Sequence, residues 1–407
     1  MSLKQLDKVL TEKLNELKAK GTLKGEEKVI TSIKETKDGY SPRYLLAGQG
    51  EKGFLRMNSN SYMGISLNKD VIRAEEEASK RFGTGPGAVR FISGTYEPHV
   101  KLERRLALFH GREAAMVFSS AYSAVMGVLP QFITEDTLVV SDELNHNCII
   151  NAIRLSRPAK KTIYHHLDMM ELECVLRENT GQTKRVVVVT DGIFSMRGDC
   201  APLDRIVEIC DRYGTGYEEG VITIVDDSHG VGAFGTTGRG TEEHTNARAD
   251  ILVATLGKAL GVNGGYVVST RTMISYLRET APFYIYSNPI TPSEAVAAIK
   301  SLEILDSTEG LRLLEWIRKL AAHLREGLKL LGYETIPGEH PIVPLMMRDT
   351  QRTSEMVRYL FDNGILVTGL NFPVVPKGDE EIRFQISATH TEKDIDYLLS
   401  ILKKFKE

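Results

Sequence analysis

An acid, an imidazole and an amine lie at the ends of two neighbouring predicted strands. Asp226 and His229 come directly after the predicted strand 221–225. Lys258 follows the next predicted strand along the chain, 251–254. Open α/β sheets bind ligands at the carboxyl ends of their strands, so these side chains are candidates for a single ligand site.

Lys258 precedes an apolar, glycine-rich stretch, residues 259–265, and admits two interpretations. It could be a surface lysine at a strand end. Alternatively, a lysine shielded from water loses basicity, becomes nucleophilic near neutral pH and can form a Schiff base with an aldehyde. The cofactor pyridoxal 5′-phosphate (PLP) needs such a lysine, together with a carboxylate for its pyridine nitrogen, a phosphate site and an aromatic face.

The sequence offers a candidate for each of these requirements. Asp226 could pair with the pyridine nitrogen, and the alternative is a helix cap. His229 could donate to the phenolic oxygen, or it could be a structural histidine. Thr255 adds a hydroxyl beside the lysine, and His146 could stack on the ring. An uncharged helix begins near residue 120, where free amides and the helix dipole favour an anion, and the candidate phosphate ligands there are Ser120, Ala121 and Tyr122.

Short apolar runs alternate with helical patterns from about residue 60 to residue 270, which predicts βα units with helices on both sides of a parallel or mixed sheet. The run Val186–Val189 is apolar and β-branched, as expected for a strand covered on both faces. After Pro292 longer helices and a few short strands predict a smaller α+β domain. The predicted strands are 137–140, 162–164, 185–189, 221–225, 251–254 and 266–268, and then 342–346, 365–370 and 382–387.

The predicted domain division follows from this change of pattern. Residues 1–59 form an N-terminal helix and arm, 60–290 a large ligand-binding domain and 291–407 a small C-terminal domain. The opening helix carries leucines at helical spacing, and Gly21 is its predicted end. The uncharged segment 114–134 contains serines, a proline and a glutamine, so a buried helix is expected there and no membrane span.

Composition and missing motifs exclude several classes of protein. The 407 residues have 42% hydrophobic and 26% charged residues and a formal net charge of −3, which is typical of a globular protein and argues against nucleic-acid binding. The four cysteines form no Cys-x-x-Cys pair, so neither a disulfide framework nor a metal site is expected, and a cytoplasmic location is predicted. The charged N-terminus shows no export signal, and Rossmann and P-loop spacings are absent.

Ten ordered motifs across nearly the whole chain resemble those of the α-oxoamine synthases, PLP enzymes of fold type I that join an amino acid to an acyl-CoA. The segments are Asn-Ser-Tyr-Met-Gly (60–64), Arg-Phe-Ile-Ser-Gly-Thr (90–95), Ser-Asp-Glu-Leu-Asn-His (141–146), Thr-Asp-Gly-Ile-Phe-Ser-Met (190–196), Val-Asp-Asp-Ser-His-Gly (225–230), Gly-Arg-Gly (238–240), Thr-Leu-Gly-Lys-Ala-Leu (255–260), Tyr-Ser-Asn (286–288), Val-Thr-Gly (367–369) and Pro-Val-Val-Pro-Lys-Gly (373–378). Arg90-Phe91 and the last two segments most resemble the glycine C-acetyltransferase branch.

The resemblance implies an α/β fold of type I, with a mostly parallel seven-stranded sheet in the large domain and a smaller α+β C-terminal domain. It implies that Lys258 forms the Schiff base and transfers protons, and that Ser195 lies near the cofactor oxygen. Asp226, His229 and His146 would then act as described above. Arg383, helped by Asn60, would bind the substrate carboxylate through a two-pronged ion pair. A homodimer is also implied.

The predicted reaction condenses a small amino acid with an acyl-CoA and releases CoA, and glycine and acetyl-CoA are the preferred substrates. The resulting β-keto acid is either released as a 2-amino-3-keto acid or decarboxylated to an α-amino ketone. The turn at Ala121 and Tyr122 and the Arg197 position depart from the family pattern and bear on the acyl group. An 8-amino-7-oxononanoate synthase-like enzyme with a longer acyl group is therefore an alternative. An aldolase or aminotransferase on the same fold also stays open. So does a non-catalytic subunit, although such a subunit has no chemical need for Lys258, Asp226 and His229 together.

Overall fold

The computed structural model describes residues 2–19, 23, 26–36 and 38–406. The strands are β1 Ile30–Lys34, β2 Arg43–Leu46, β3 Gly53–Arg56, β4 Ala114–Phe118, β5 Thr137–Asp142, β6 Lys160–Tyr164, β7 Arg185–Asp191, β8 Val221–Asp226, β9 Ile251–Thr255, β10 Gly265–Ser269, β11 Ile342–Met346, β12 Ile365–Leu366, β13 Thr368–Leu370 and β14 Glu381–Gln385. The helices are α1 Ser2–Ala19, α2 Lys69–Phe82, α3 Glu97–Phe109, α4 Ala121–Phe132, α5 Asn147–Leu155, α6 Met169–Glu178, α7 Leu203–Gly214, α8 Thr241–Thr245, α9 Arg271–Thr280, α10 Pro282–Ile285, α11 Pro292–Leu305, α12 Thr308–Leu330, α13 Thr350–Asp362 and α14 Glu392–Lys406.

A seven-stranded sheet has the order β4-β10-β9-β8-β7-β5-β6. Strands β6, β5, β7, β8 and β9 pair in parallel, and β10 runs antiparallel to both of its neighbours. The predicted α/β fold with a mostly parallel seven-stranded sheet is therefore confirmed. Each predicted strand of this region is present, most of them extended by one or two residues at an end.

Alternate side chains of β7 enter two different hydrophobic clusters, which explains the run of four valines. Val187 and Val189 pack with Val139 on one face of the sheet. Val186 and Val188 pack with other residues on the opposite face. All four valines are buried, as expected for a strand that helices cover on both sides.

The expectation of one buried helix over residues 114–134 is wrong. Residues 114–118 form strand β4, and α4 begins only at Ala121. A short apolar run fits a strand or a helix equally well, and here pairing with β10 decides the outcome. Within the described part of the chain, no helix is long and apolar enough to cross a membrane.

The chain forms two compact units. One unit comprises residues 60–319 and 338–341 and contains the seven-stranded sheet. The other comprises the described residues of 1–59, 320–337 and 342–407. The domain division predicted from the sequence, 1–59, 60–290 and 291–407, stays a prediction.

The second unit contains two small sheets with the orders β1-β2-β3-β12 and β11-β14-β13. The predicted strand 365–370 is divided between them, because β12 pairs in parallel with β3 while β13 pairs antiparallel with β14. Helix α1 is present, but its predicted end, Gly21, lies outside the described residues. Its leucines are exposed, and the predicted homodimer stays a prediction.

Candidate active site

Four parallel strands of the large sheet end at one edge with polar residues. Strand β5 ends at Asp142, β7 at Asp191, β8 at Asp226 and β9 at Thr255. Asp191 and Asp226 are directly opposite each other in the pairing of β7 with β8. This edge is where ligands bind in open α/β sheets, and it brings together residues that lie far apart in the sequence.

A cavity of about 260 Å³ opens at this edge. Its lining includes every residue that the sequence analysis predicted to bind the cofactor, and three residues that the sequence analysis did not predict. The lining residues are Ser120, Ala121, Tyr122, His146, Cys148, Asp191, Ser195, Asp226, Ser228, His229, Thr255 and Lys258.

The N-terminus of α4 is held against strand β10 at one side of the cavity. The side chain of Ser120 caps the helix by accepting the N–H of Ser123 at 3.0 Å. A Cβ at Gly265 would lie 2.2 Å from the backbone nitrogen of Ala121, so only glycine permits this approach. The first turn of the helix is uncharged, and its amides favour an anion.

Cys148 connects the predicted stacking histidine with the predicted carboxylate. Its Sγ lies 2.9 Å from Nδ1 of His146 and 3.6 Å from Oδ2 of Asp226. His146 caps helix α5 through the same Nδ1, which accepts the N–H of Cys148 at 3.3 Å. Burial lowers the pKa of His146, although the Asp226 charge opposes this shift. Burial raises the pKa of the Cys148 thiol, and Asp226 raises it further, so the group stays a thiol.

Two further carboxyl groups adjoin Asp226. Asp191 accepts the N–H of His146 at 2.9 Å, and burial raises its pKa well above the ordinary value, with a further rise from Asp226. Asp227 accepts both the N–H and the hydroxyl of Thr241 at 2.7 Å. Burial raises the pKa of Asp227 to about 7, although the two bonds from Thr241 oppose this shift. Asp227 thus stabilises the start of α8 through Thr241, whereas Asp226 lines the cavity.

Two aromatic residues, Tyr62 and His340, contact His229. Its Nδ1 lies 2.7 Å from the hydroxyl of Tyr62, which is fully buried. Its backbone carbonyl accepts a hydrogen bond from Nε2 of His340 at 2.9 Å. The rings of Tyr62 and His340 meet edge to face at 5.3 Å. These contacts hold both the ring and the backbone of His229.

Ser195 lies in the turn that follows β7, and His166 ties this turn to the end of β5. Nδ1 of His166 is 3.0 Å from Oδ1 of Asp142, and its Nε2 is 3.2 Å from Oδ2 of Asp199. Burial lowers the pKa of His166, but hydrogen bonds with the two carboxylates outweigh burial and raise this pKa to about 9. The ring is therefore charged at pH 7 and braces two loops that line the cavity.

Lys258 lies in the turn between β9 and β10. The hydroxyl of Thr255 donates to the carbonyl of Gly264 at 3.1 Å and accepts the N–H of Gly257 at 3.0 Å. The N–H of Gly261 donates to the carbonyl of Lys258 at 3.0 Å. These bonds fix the backbone on both sides of the lysine, whose half-buried side chain lines the cavity.

The two predicted substrate-binding residues are not among those that line the cavity. Asn60 belongs to the same unit, and its side-chain oxygen is 3.3 Å from the hydroxyl of Tyr62. Arg383 lies on β14 in the other unit, with its guanidinium 3.5 Å from the side-chain oxygen of Gln385. Their predicted role with the substrate carboxylate stays a prediction.

Sequence reasoning missed three residues that line the cavity: Cys148, Asp191 and Ser228. The signal for Asp191 was present, because it ends a buried strand just as Asp226 does. Ser228 lies between two predicted residues, Asp226 and His229. For Cys148, two residues after His146, the sequence gives no signal that its thiol reaches Asp226.

The donor set of the cavity fits PLP. The helix N-terminus at Ser120 suits a phosphate, Asp226 suits a protonated ring nitrogen, and Lys258 supplies the amine. Ser228 lines the same cavity, and its buried hydroxyl has no hydrogen-bond partner among the residues that the structure describes. Buried polar groups in native proteins normally have a partner, and an oxygen of a bound ligand would provide one.

Comparisons with known proteins identify relatives along nearly the whole chain. A family model described as aminotransferase class I and II matches residues 52–402. The 8-amino-7-oxononanoate synthase of Thermoanaerobacter pseudethanolicus is 36% identical over 405 residues, covering 99% of this chain and 98% of that protein. The mitochondrial 2-amino-3-ketobutyrate coenzyme A ligase of Homo sapiens is 38% identical over 401 residues, covering 97% of this chain and 91% of that protein.

Among solved structures, a serine palmitoyltransferase from S. paucimobilis with bound PLP and myriocin superposes with a TM-score of 0.87 at 27% identity. The match covers 99% of this chain and 97% of that chain. The chain therefore belongs to the class I and II aminotransferase family of PLP enzymes. Within that family it is an α-oxoamine synthase, a PLP-dependent acyltransferase.

Proposed function

We propose that this enzyme condenses glycine with acetyl-CoA to give 2-amino-3-ketobutyrate and CoA. The observation that carries the chemistry is that Lys258, Asp226 and His229 line one cavity beside the N-terminus of α4. An amine, an acid and a hydrogen-bonding imidazole in that arrangement meet the needs of a PLP-dependent reaction at the α-carbon of an amino acid.

We propose a distinct role for each residue that would hold the cofactor. Lys258 would attach it, Asp226 would pair with its pyridine nitrogen, and His229 would donate to its phenolic oxygen. His146 would stack on the ring. The phosphate ligands would be Ser120, Ala121 and Tyr122, with Thr255 and Ser195 completing the contacts. When bound, PLP supplies an electron sink that stabilises negative charge on the carbon next to the substrate amine.

The protein residues would then control binding and proton transfer. Arg383, with Asn60, would bind the carboxylate of glycine. Lys258 would remove a proton from the α-carbon, which then forms a bond to the carbonyl carbon of acetyl-CoA. The carbon–sulfur bond breaks, and CoA leaves as its thiol after taking up a proton.

The choice of glycine and acetyl-CoA rests on sequence resemblance to the glycine C-acetyltransferase branch at Arg90-Phe91, 367–369 and 373–378. A relative named for 2-amino-3-ketobutyrate, from Homo sapiens, is 38% identical along nearly the whole chain.

A second candidate function is 8-amino-7-oxononanoate synthesis, from alanine and a longer acyl-CoA. It is favoured by relatives of that name, which are 36–39% identical to this chain. The same cavity would serve both reactions up to formation of the carbon–carbon bond and release of CoA. The second reaction would then also lose the substrate carboxylate as CO2, whereas 2-amino-3-ketobutyrate keeps it.

A matrix of amino acids against acyl-CoA thioesters tests the assignment. Glycine, alanine and serine are each combined with acetyl-, pimeloyl- and palmitoyl-CoA, and free thiol is measured together with the product mass. We expect the highest kcat/KM with glycine and acetyl-CoA. A maximum with alanine and pimeloyl-CoA would support the second candidate, and keto-acid-dependent amino transfer without thiol release would contradict both.

Lys258→Ala tests the chemistry independently of the substrate. We expect loss of thiol release and of the imine absorbance of the purified protein. Lys300→Ala is the control, because Lys300 is a half-buried lysine on α11 that does not line the cavity and that pairs with Glu303 at 3.1 Å. An imine absorbance that persists in Lys258→Ala would assign the attachment to another amine.

A further inference from the structure

Tyr62 is a buried tyrosine beside the cavity, and its hydroxyl lies between two residues with proposed roles. The hydroxyl is 2.7 Å from Nδ1 of His229 and 3.3 Å from the side-chain oxygen of Asn60. The side chain of Tyr62 is fully buried, and Tyr62 is not among the residues that line the cavity. Any effect of this hydroxyl on a ligand must therefore pass through a neighbour.

The hydroxyl of Tyr62 has one proton, and both Nδ1 of His229 and the side-chain oxygen of Asn60 can accept it. The separation from His229, 2.7 Å, is typical of a strong hydrogen bond, whereas the separation from Asn60, 3.3 Å, exceeds the usual range for a bond between two oxygens. The shorter separation makes Nδ1 of His229 the better acceptor for this proton, and a Tyr62 that donates there leaves Nδ1 as an acceptor. In a neutral imidazole the proton then resides on Nε2.

The geometry points to Tyr62 as a positioning residue that fixes His229 in the tautomer with the proton on Nε2, the form that can donate to the phenolic oxygen of PLP. This inference rests on the role proposed for His229 above. A ring in the other tautomer would present a lone pair to an oxygen that carries negative charge and would weaken cofactor binding.

Other contacts hold the pair in place. The ring of Tyr62 packs edge to face on His340, and Nε2 of His340 binds the carbonyl of His229. The hydroxyl can thus be removed while the aromatic packing remains. The titratable groups that line the cavity together with His229 are Tyr122, His146, Cys148, Asp191, Asp226 and Lys258.

Tyr62→Phe in the PLP-loaded enzyme tests the inference by spectroscopy. A donor to the phenolic oxygen stabilises its anionic form, so weakening that donor should raise the pKa at which the absorbance of bound PLP changes. One hydrogen bond corresponds to a shift of about 0.5–1 pH unit in this midpoint and to about fivefold weaker PLP binding. We expect His229→Asn to shift the midpoint in the same direction by at least as much.

The double variant separates a direct effect from one that passes through His229. We expect Tyr62→Phe combined with His229→Asn to titrate like His229→Asn alone. Additive shifts, or a wild-type midpoint for Tyr62→Phe, would overturn the inference while leaving the role of His229 intact. A wild-type midpoint for His229→Asn would overturn both the inference and that role.

Tyr266→Phe is a matched control. Tyr266 is also fully buried, and its hydroxyl is 2.9 Å from Nε2 of His110, but neither residue lines the cavity. We expect a comparable loss of thermal stability and an unchanged absorbance midpoint. An equal midpoint shift in Tyr266→Phe would show that loss of a buried hydroxyl acts through stability alone, which contradicts the inference.

The wild-type holoenzyme offers a measurement that does not depend on a variant folding. Nitrogen-15 spectra of labelled histidines distinguish the two neutral tautomers, and His229→Asn identifies the signal of His229 by its disappearance. We expect the proton on Nε2. A proton on Nδ1 would contradict the inference directly.

Discussion

Substitution of Gly265 by alanine should weaken PLP binding, because this glycine lets the start of α4 approach strand β10. An added Cβ would lie 2.2 Å from the nitrogen of Ala121 and 2.4 Å from the carbonyl carbon of Ser120. Ordinary contact begins near 3.4 Å, so the helix and the strand must move apart to admit the methyl group. That displacement moves the amides that would bind the phosphate.

Overpacking of this kind costs about 1–3 kcal/mol. If this free-energy cost destabilises only the PLP-bound enzyme, the affinity for PLP falls by about 5- to 150-fold. The assay is a titration of the cofactor-depleted variant with PLP, followed by absorbance, with circular dichroism to verify the fold.

Gly214→Ala is the control for this experiment, since a Cβ at Gly214 meets no other atom within 4 Å. We expect wild-type PLP affinity for Gly214→Ala. A folded Gly265→Ala protein that binds PLP as tightly as the wild type would refute the reasoning, because the helix N-terminus would then not need its close approach to β10.

Two further predictions concern stability, and urea unfolding measures both. The folded-state pKa of His166 is raised to about 9, so the charged ring stabilises the fold fully below pH 6.5 and this contribution, roughly 3 kcal/mol, is lost as the pH rises through 9. His166→Gln should therefore show a smaller change in stability between pH 6 and 9.5 than the wild type; an equal change would assign the effect to other groups. The carboxylate of Glu103 accepts one hydrogen bond from each terminal guanidinium nitrogen of buried Arg90, at 3.0 and 3.2 Å. Glu103→Ala should lower the free energy of unfolding by about 3–5 kcal/mol, because it leaves a buried charge unpaired, and a loss under about 1 kcal/mol would contradict this.

The sequence predicts where strands begin and end, but it does not predict which strands pair with each other in the fold. The valines of β7 and the acid at the end of β8 follow local rules, and those rules placed both correctly in the fold. The segment 114–118 was misassigned because its hydrogen-bonding partner, β10, lies about 150 residues away along the chain. Local pattern carries no information about such a partner.

The candidate site shows the same limit. Local pattern places Asp226, His229 and Lys258 after their strands, whereas the contact of Tyr62 with His229 joins residues 167 positions apart. The bond between Cys148 and Asp226 spans 78 positions and depends on a side-chain rotamer. Neither contact has a signature in spacing or composition, so only the folded chain reveals them.

The pairing of β4 with β10 has a consequence for the newly made protein. Strand β4 lies at the edge of the large sheet, and the strand beside it is encoded about 150 residues later. The start of α4 therefore reaches its final place only after residues 265–269 have left the ribosome. A nascent chain shorter than this contains most of the sheet, yet it lacks the start of α4 in its final place. If the phosphate of PLP binds there as proposed, loading with the cofactor must follow synthesis of about two thirds of the polypeptide.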